Sequence, residues 1–374
     1  MNTFFKRNIK KIRMFFIRKI FPEIYENIIN NESDNEKMKR LMKLVNKDFQ
    51  PNMNILNERL RNIDFMALSI KAMGYNLARS LVDAWPTIEN KGPIKLDIGS
   101  KLCTQADIES IWSRHWFSEL GIPLIYHRKA WEFSYVLQTL YNSGNIDSSK
   151  TGLGFGCGRE PIASYLASKG VKTTITDLLP DDAQSAGWRN SNQHVDTIEE
   201  AHLEHLVDKE TFKRLVSHRY VDMNAIPDDL NGYDFCWSIC ALEHLGSIQL
   251  GLDFIEASLR TLRPGGVAVH TMEFNINPEG PTIDNWPTVL FQKKHIEELA
   301  RQLEGKGHKV ARMDFNAGNK PLDQFIDIPP WGGEDVIGNL ANELEIGQDH
   351  SDGHLKLSVD GFAVTCFGIA ITKK

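Results

Sequence analysis

The chain has 374 residues, a formal net charge of -6, and five cysteines, at positions 103, 157, 236, 240 and 366, with no CxxC pair. Its acidic balance excludes the broad basic footprint of a general nucleic-acid binder. With 41% hydrophobic and 25% charged residues, the composition is that of a globular protein, and the length exceeds what one domain commonly needs. The cysteine spacing offers neither a disulfide framework nor a thiolate zinc site, which fits a reducing, cytoplasmic compartment.

In chain order, residues 1–22 come first, where Lys6, Arg7, Lys10, Lys11, Arg13, Arg18 and Lys19 interleave with Phe4, Phe5, Ile9, Ile12, Phe15, Phe16 and Ile20. No apolar run there is long enough to span a bilayer. The pattern predicts a basic amphipathic helix, which lies either on an anionic membrane surface through residues 2–21 or against its own protein or a partner subunit, including a second copy. Residues 23–93 read as a helical extension, with Met38, Leu41, Met42, Val45 and Phe49, then Leu56, Leu60 and Ile63, at spacings of three and four, interrupted by the acidic NNESDNE at 30–36 and by Pro51. Residues 94–150 form a segment rich in aromatics and charges, including Trp112, His115, Trp116, His127, Arg128, Lys129 and Trp131. Its tryptophans are expected in the core.

The stretch 151–179, TGLGFGCGREPIASYLASKGVKTTITDLL, predicts a strand, a glycine turn at 154, 156 and 158, a helix, and a second strand ending on Asp177. Glycines allow a tight turn and close approach to a ligand, and an acidic side chain about twenty residues on can accept hydrogen bonds from a ribose diol. RYVDMNAIPDDL, YDFCWSICALEHL, a helix through Ser258 and LRPGGVAVHTMEF follow. Strand and helix alternation of this kind predicts an α/β fold with a mostly parallel sheet and helices on both faces, residues 151–374 making up the domain. The strand ends present Asp222 and Asn224, Ser238, Glu243 and His244, and His270 and Glu273. A helix, HIEELARQLEGKG, a strand, HKVARMDF, a Pro- and Gly-rich substrate-facing loop, NKPLDQFIDIPPWGGE, and a last strand complete the sheet.

GFGCGRE with Asp177, VDMNAIP, the ALEHL loop and LRPGG together resemble the class I S-adenosylmethionine-dependent methyltransferases over roughly residues 150–275. HRKAWEF, GREP, DMNAIP and ALEHLGSI further resemble a bacterial group associated with polysaccharide biosynthesis. The resemblance implies a Rossmann-like, seven-stranded sheet and S-adenosyl-L-methionine as cofactor, held by Gly156, Cys157, Gly158, Asp177, Asp222, Met223 and Ser238. Two positions depart from the family pattern: Gly154 stands where an acidic residue usually precedes the glycines, and Glu160 where the third glycine falls. Glu160 or Arg159 then takes a share of the methionine end of the cofactor.

The expected reaction is transfer of a methyl group to a small-molecule or carbohydrate acceptor, with a hydroxyl favoured. His244 is the first candidate for the base, then His270 and Glu273, because an imidazole titrates close to working pH. No HxH, HExxH or DxDxDG spacing is present, so no metal is assigned. Two alternatives stay open: an inactive methyltransferase fold serving as scaffold, kept alive by Gly154 and Glu160, and a dinucleotide-dependent oxidoreductase, in which LRPGG and ALEHL have no role.

Overall fold

A computed structural model describes residues 43–45, 50–86, 92–179, 197–329 and 353–374. The basic helix expected over 1–22 and the acidic segment 30–36 lie outside them. Two compact units divide the chain, Met1–Ile70 and Lys71–Lys374.

The elements in chain order are α1 (Met53–Asp83), β1 (Ser100–Leu102), α2 (Gln105–Ile108), α3 (Ile111–Leu120), β2 (Tyr126–His127), α4 (Arg128–Asn142), β3 (Thr151–Phe155), α5 (Ile162–Ser168), β4 (Lys172–Asp177), α6 (Lys209–Leu215), β5 (Val216–Tyr220), β6 (Tyr233–Ile239), α7 (Ile248–Ser258), β7 (Leu262–Asn275), α8 (Lys293–Gly305), β8 (Lys309–Val310), β9 (Met313–Asp314), α9 (Pro321–Gln324), β10 (Ile326–Asp327), β11 (Gly353–His354), β12 (Lys356–Val359) and β13 (Phe362–Thr372). The sheet runs β10-β12-β13-β7-β6-β3-β4-β5, with β5 through β7 parallel and β13 antiparallel to β7. The α/β architecture is as expected. Its width is not: the sheet holds eleven strands among the described residues rather than seven, because β1, β8, β9 and β10 add short pieces on the β13 side.

Strand order reverses at β3, which pairs with β4 on one side and β6 on the other. A crevice opens at such a reversal, outside the carboxyl ends of the strands. The expected loop and last strand over 354–374 are instead a hairpin, turned by Asp360 and Gly361, both at positive φ (48° and 85°). That geometry suits an Asp-Gly two-residue turn. In the expected loop at 319–334, α9 and β10 occupy 321–327, and residues beyond 329 lie outside the described ones.

Each face of the sheet carries its own core. One holds Trp116, Trp131, Tyr135, Phe235, Trp237 and Val269 under α3 and α4; the other holds Leu153, Phe155, Phe254, Phe274, Phe291 and Phe367 under α7 and α8. Successive strand residues point to opposite faces, so Leu153 and Phe155 fill one core while Gly152 and Gly154 leave room in the other. A Cβ on Gly152 would stand 2.3 Å from the Phe235 ring, and one on Gly154 would stand 2.5 Å from Trp237. The large rings of β6 are accommodated by the missing side chains of β3.

Replacing Gly152 with alanine therefore overpacks a closed core, and unfolding in urea should show a loss of about 1 to 3 kcal/mol. Adding Phe235→Leu to Gly152→Ala should recover part of that loss. Additive losses in the double variant would mean the two residues do not share the space.

Candidate functional site

The cavity at the reversal has a volume of about 410 Å³ and is lined from β3, β4, β5, β6 and α4, by residues including Gly156, Cys157, Gly158, Asp177, Asp222, Met223, Cys240 and His244. β3 ends at Phe155, and the chain turns through Gly156 and Gly158, both at positive φ (57° and 49°), a region that favours glycine. A Cβ on Gly156 would also lie 2.9 Å from the Ala241 methyl and 3.4 Å from Met223 Sδ, filling the floor of the cradle. Asp177 ends β4; its Oδ2 accepts from the Gly158 N–H at 3.3 Å and its Oδ1 from the Leu178 N–H at 2.9 Å. After β5, Asp222 Oδ1 accepts from the Asn224 N–H at 2.8 Å, which fixes the turn that sets Met223 into the wall.

Glu160 and Gly154, the two departures from the family pattern, meet at one ring. The Trp237 indole fills the space above Gly154, and its Nε1–H donates to Glu160 Oε1 at 2.5 Å. Glu160 is 9% exposed and lies on the cavity wall. Burial pushes its carboxyl up to about 8, against the lowering effect of Trp237 and Lys129. Arg159 pairs instead with Glu200, at 2.7 Å.

Beneath the cavity lies an ionic cluster. Arg128 Nη2 donates to Glu273 Oε1 at 2.7 Å, while its Nη1 lies 3.3 Å from Glu132 Oε1, 3.4 Å from Cys240 Sγ and 3.2 Å from Cys366 Sγ. Glu132, Cys240 and Cys366 are the one group among the described residues with donor atoms close enough together to hold a metal ion. The guanidinium already stands at that point, and a second cation there would be repelled. Glu132 Oε2 also accepts from the Thr271 hydroxyl at 2.6 Å. Glu243 is fully buried, and neither of its carboxyl oxygens has a hydrogen-bond partner among the described residues. Burial first, then the charge of Glu273, raises its carboxyl, which holds a proton near neutral pH.

The sequence-predicted residues divide by strand parity. Gly156, Cys157, Gly158, Asp177, Asp222, Met223 and His244 all line the cavity. Ser238 and His270 do not. Ser258 Oγ donates to the Ile255 carbonyl at 2.7 Å, so His270 Nε2–H must donate to Ser258 Oγ (3.0 Å), and the Ser238 hydroxyl donates to His270 Nδ1 (2.8 Å). His270 is fully buried under α7, and burial lowers its pKa to about 3. It is a packed neutral residue, not a base, and the Ser238 side chain points away from the cavity. Glu273 faces the opposite side from His270, where its carboxylate is committed to Arg128. His244 is half-buried on the wall; its Nδ1–H donates to the Pro287 carbonyl at 3.0 Å, which places the lone pair on Nε2. Burial lowers its pKa, so the ring is neutral at pH 7.

Lys129 and Phe133 also line the cavity and were not foreseen. They stand four residues apart on α4, one face of one helix, and that spacing was the available signal.

A raised carboxyl pKa means the folded state binds more protons than the unfolded chain, so stability falls as pH rises from the ordinary carboxylate range toward the raised value. Glu243→Gln removes the titrating group and keeps its shape. Between about pH 5 and about pH 8 the wild-type melting temperature should fall more steeply than that of Glu243→Gln. Equal slopes would show that Glu243 is not held protonated.

No protein-family model matches the sequence, and no curated protein matches it. Solved structures similar to this chain include a magnesium protoporphyrin IX methyltransferase from Synechocystis with bound SAH, at 10% identity and a TM-score of 0.38, covering 66% of this chain and 86% of that one. A phosphoethanolamine N-methyltransferase 2 from Haemonchus contortus with S-adenosyl-L-methionine is similar at 15% identity and a TM-score of 0.37, over 66% of this chain and 56% of that one. A SAM dependent methyltransferase from Aquifex aeolicus is similar at 15% identity and a TM-score of 0.33, over 64% and 89%. These likenesses are distant, and the function proposed below rests on the cavity.

Proposed function

We propose that this chain is an S-adenosyl-L-methionine-dependent methyltransferase that O-methylates a sugar or other small-molecule hydroxyl. The observation that carries the reading is Asp177 at the end of β4, bonded to the N–H of Gly158 across the glycine turn, in a cavity at the strand reversal. A carboxylate at that place accepts from a ribose diol. The same cavity weighs against a dinucleotide. Glu160 stands at the turn into α5, where its buried carboxyl offers a pyrophosphate no counter-charge, whereas a ligand carrying a positive sulfonium and ammonium favours its ionised form. The resemblance of HRKAWEF and ALEHLGSI to the polysaccharide-associated group supports a carbohydrate acceptor.

When bound, the cofactor supplies an electrophilic methyl group on sulfur. Gly156 and Gly158 would give its nucleoside close approach, Asp177 would hold the ribose, and Met223 with Asp222 would lie beside the base. The protein's remaining task is to position the acceptor and accept its proton. His244 Nε2 carries the lone pair for that proton, and the Pro287 carbonyl steadies the Nδ1–H of the imidazolium that forms. Positioning alone lowers such a barrier by about 7 to 11 kcal/mol. The base adds to it.

Calorimetry with S-adenosylmethionine tests the cofactor. Asp177→Ala should weaken binding by about 1.5 to 3 kcal/mol, the range for hydrogen bonds to a charged group; unchanged affinity with the fold intact by circular dichroism would remove Asp177 from the site. On a hydroxyl acceptor, His244→Ala should lower turnover by about 100-fold to 10,000-fold with little change in cofactor affinity. Because burial depresses the His244 pKa, the acid limb of the wild-type rate should fall below the ordinary histidine value of about 6.5. Near wild-type turnover in His244→Ala would leave the reaction to positioning alone.

A further inference from the structure

We propose that Glu160 reads the α-ammonium of the ligand, so that the cavity selects nucleosides bearing a free amino acid and binds them with release of one proton. This rests on the cofactor reading above and adds the group recognised and the manner of its recognition.

The geometry assigns the role. Glu160 is on the cavity wall and nearly buried, and its Oε1 is fixed by the Trp237 Nε1–H from β6. The other groups facing it are the weakly donating Cys157 thiol from the glycine turn, and Lys129 and Glu132 from α4. Two cations, Arg128 and Lys129, stand in this region against four carboxyls, Glu132, Glu160, Glu243 and Glu273. Arg128 is engaged by Glu132 and Glu273, and Lys129 lies 3.8 Å from Glu132. Glu160 and Glu243 are therefore left without a cation of their own. Glu243 is sealed from solvent; Glu160 opens on the cavity and can be reached by a ligand.

With its carboxyl pushed up to about 8 by burial, Glu160 is mostly protonated in the free protein at pH 7. A ligand ammonium beside it favours the carboxylate. The carboxyl gives up its proton to solvent and the carboxylate pairs with the intact ammonium: one proton leaves and no covalent bond to the ligand changes. The complex then binds fewer protons than the free protein, so affinity rises with pH toward about 8 and falls again once the ligand's own ammonium loses its proton.

S-Adenosylhomocysteine carries the ammonium; 5′-methylthioadenosine keeps the nucleoside and thioether without the amino acid. By calorimetry on the full chain, Glu160→Gln should weaken S-adenosylhomocysteine about 10- to 100-fold, the loss of a hydrogen bond to a charged group, and leave methylthioadenosine within about twofold. In two buffers of different ionisation enthalpy at about pH 7, the wild type should release close to one proton with S-adenosylhomocysteine and none with methylthioadenosine. The proton count needs only the wild type, so it stands even if the variant does not fold. Wild-type binding of S-adenosylhomocysteine without proton release, or an equal loss for both ligands in Glu160→Gln, overturns the role of Glu160 and leaves the cofactor reading intact. Failure of the wild type to bind either nucleoside overturns both.

Discussion

Trp237 ties the core to the cavity. Its indole is fully buried between the sheet and α4, where an aromatic of this size supplies much of the apolar contact, and its one polar atom must find a partner there. It finds Glu160. Because the ring occupies the space above Gly154, no side chain can stand at 154, and an acidic group serving the cavity has to come from elsewhere on the turn. The two departures from the family pattern are thus one structural event.

Strand parity sorts the remaining polar groups. On β7, Val269, Thr271 and Glu273 face α4, while His270, Met272 and Phe274 face α7 and α8. The first set joins the cluster around Arg128; the second joins an apolar core in which His270 is satisfied by two serine hydroxyls. Buried ion pairs of this sort contribute little net stability, since desolvation offsets their attraction, but removing one partner leaves a charge unpaired. Arg128 accordingly holds Glu132 and Glu273 in place and fixes the N-terminal end of α4, the part of the helix from which Lys129 and Phe133 reach the cavity.

The cavity lining from β3 to β5 was legible in the sequence because these residues stand in chain order at the ends of consecutive strands: Gly156, Gly158, Asp177, then Asp222 and Met223. Ser238 and His270 were misplaced for a physical reason. β6 and β7 are buried on both faces, so no alternation of apolar and polar residues tells which way a side chain points. Parity would still have shown that His270 and Glu273, three apart on one strand, cannot share a face. The Asp360-Gly361 hairpin was a signal present and unused. Strands of two or three residues, such as β1, β8, β9 and β10, have no signature of their own, since tertiary pairing alone makes them strands. Lys129 was named among the charges of 94–150 without a place in the cavity, and Phe133 was not singled out.

The charge balance of the cavity bears on how catalysis can be divided among these residues. On the proposed function, Asp177 and Asp222, with Glu160 once ionised, would create a field that favours a positive ligand, and a sulfonium would lose its charge as its methyl leaves. Interactions that favour the charged ground state bind the cofactor without lowering the barrier, since only what is stronger in the transition state accelerates the step. On the proposed pairing, Glu160 would sit against an ammonium whose charge does not change during transfer, so that its carboxylate would serve binding without opposing the reaction. On the proposed reading, rate enhancement would then fall to what α4 and the 241–245 loop arrange: an acceptor in line with the methyl group, and His244, its pKa lowered by burial, as the base.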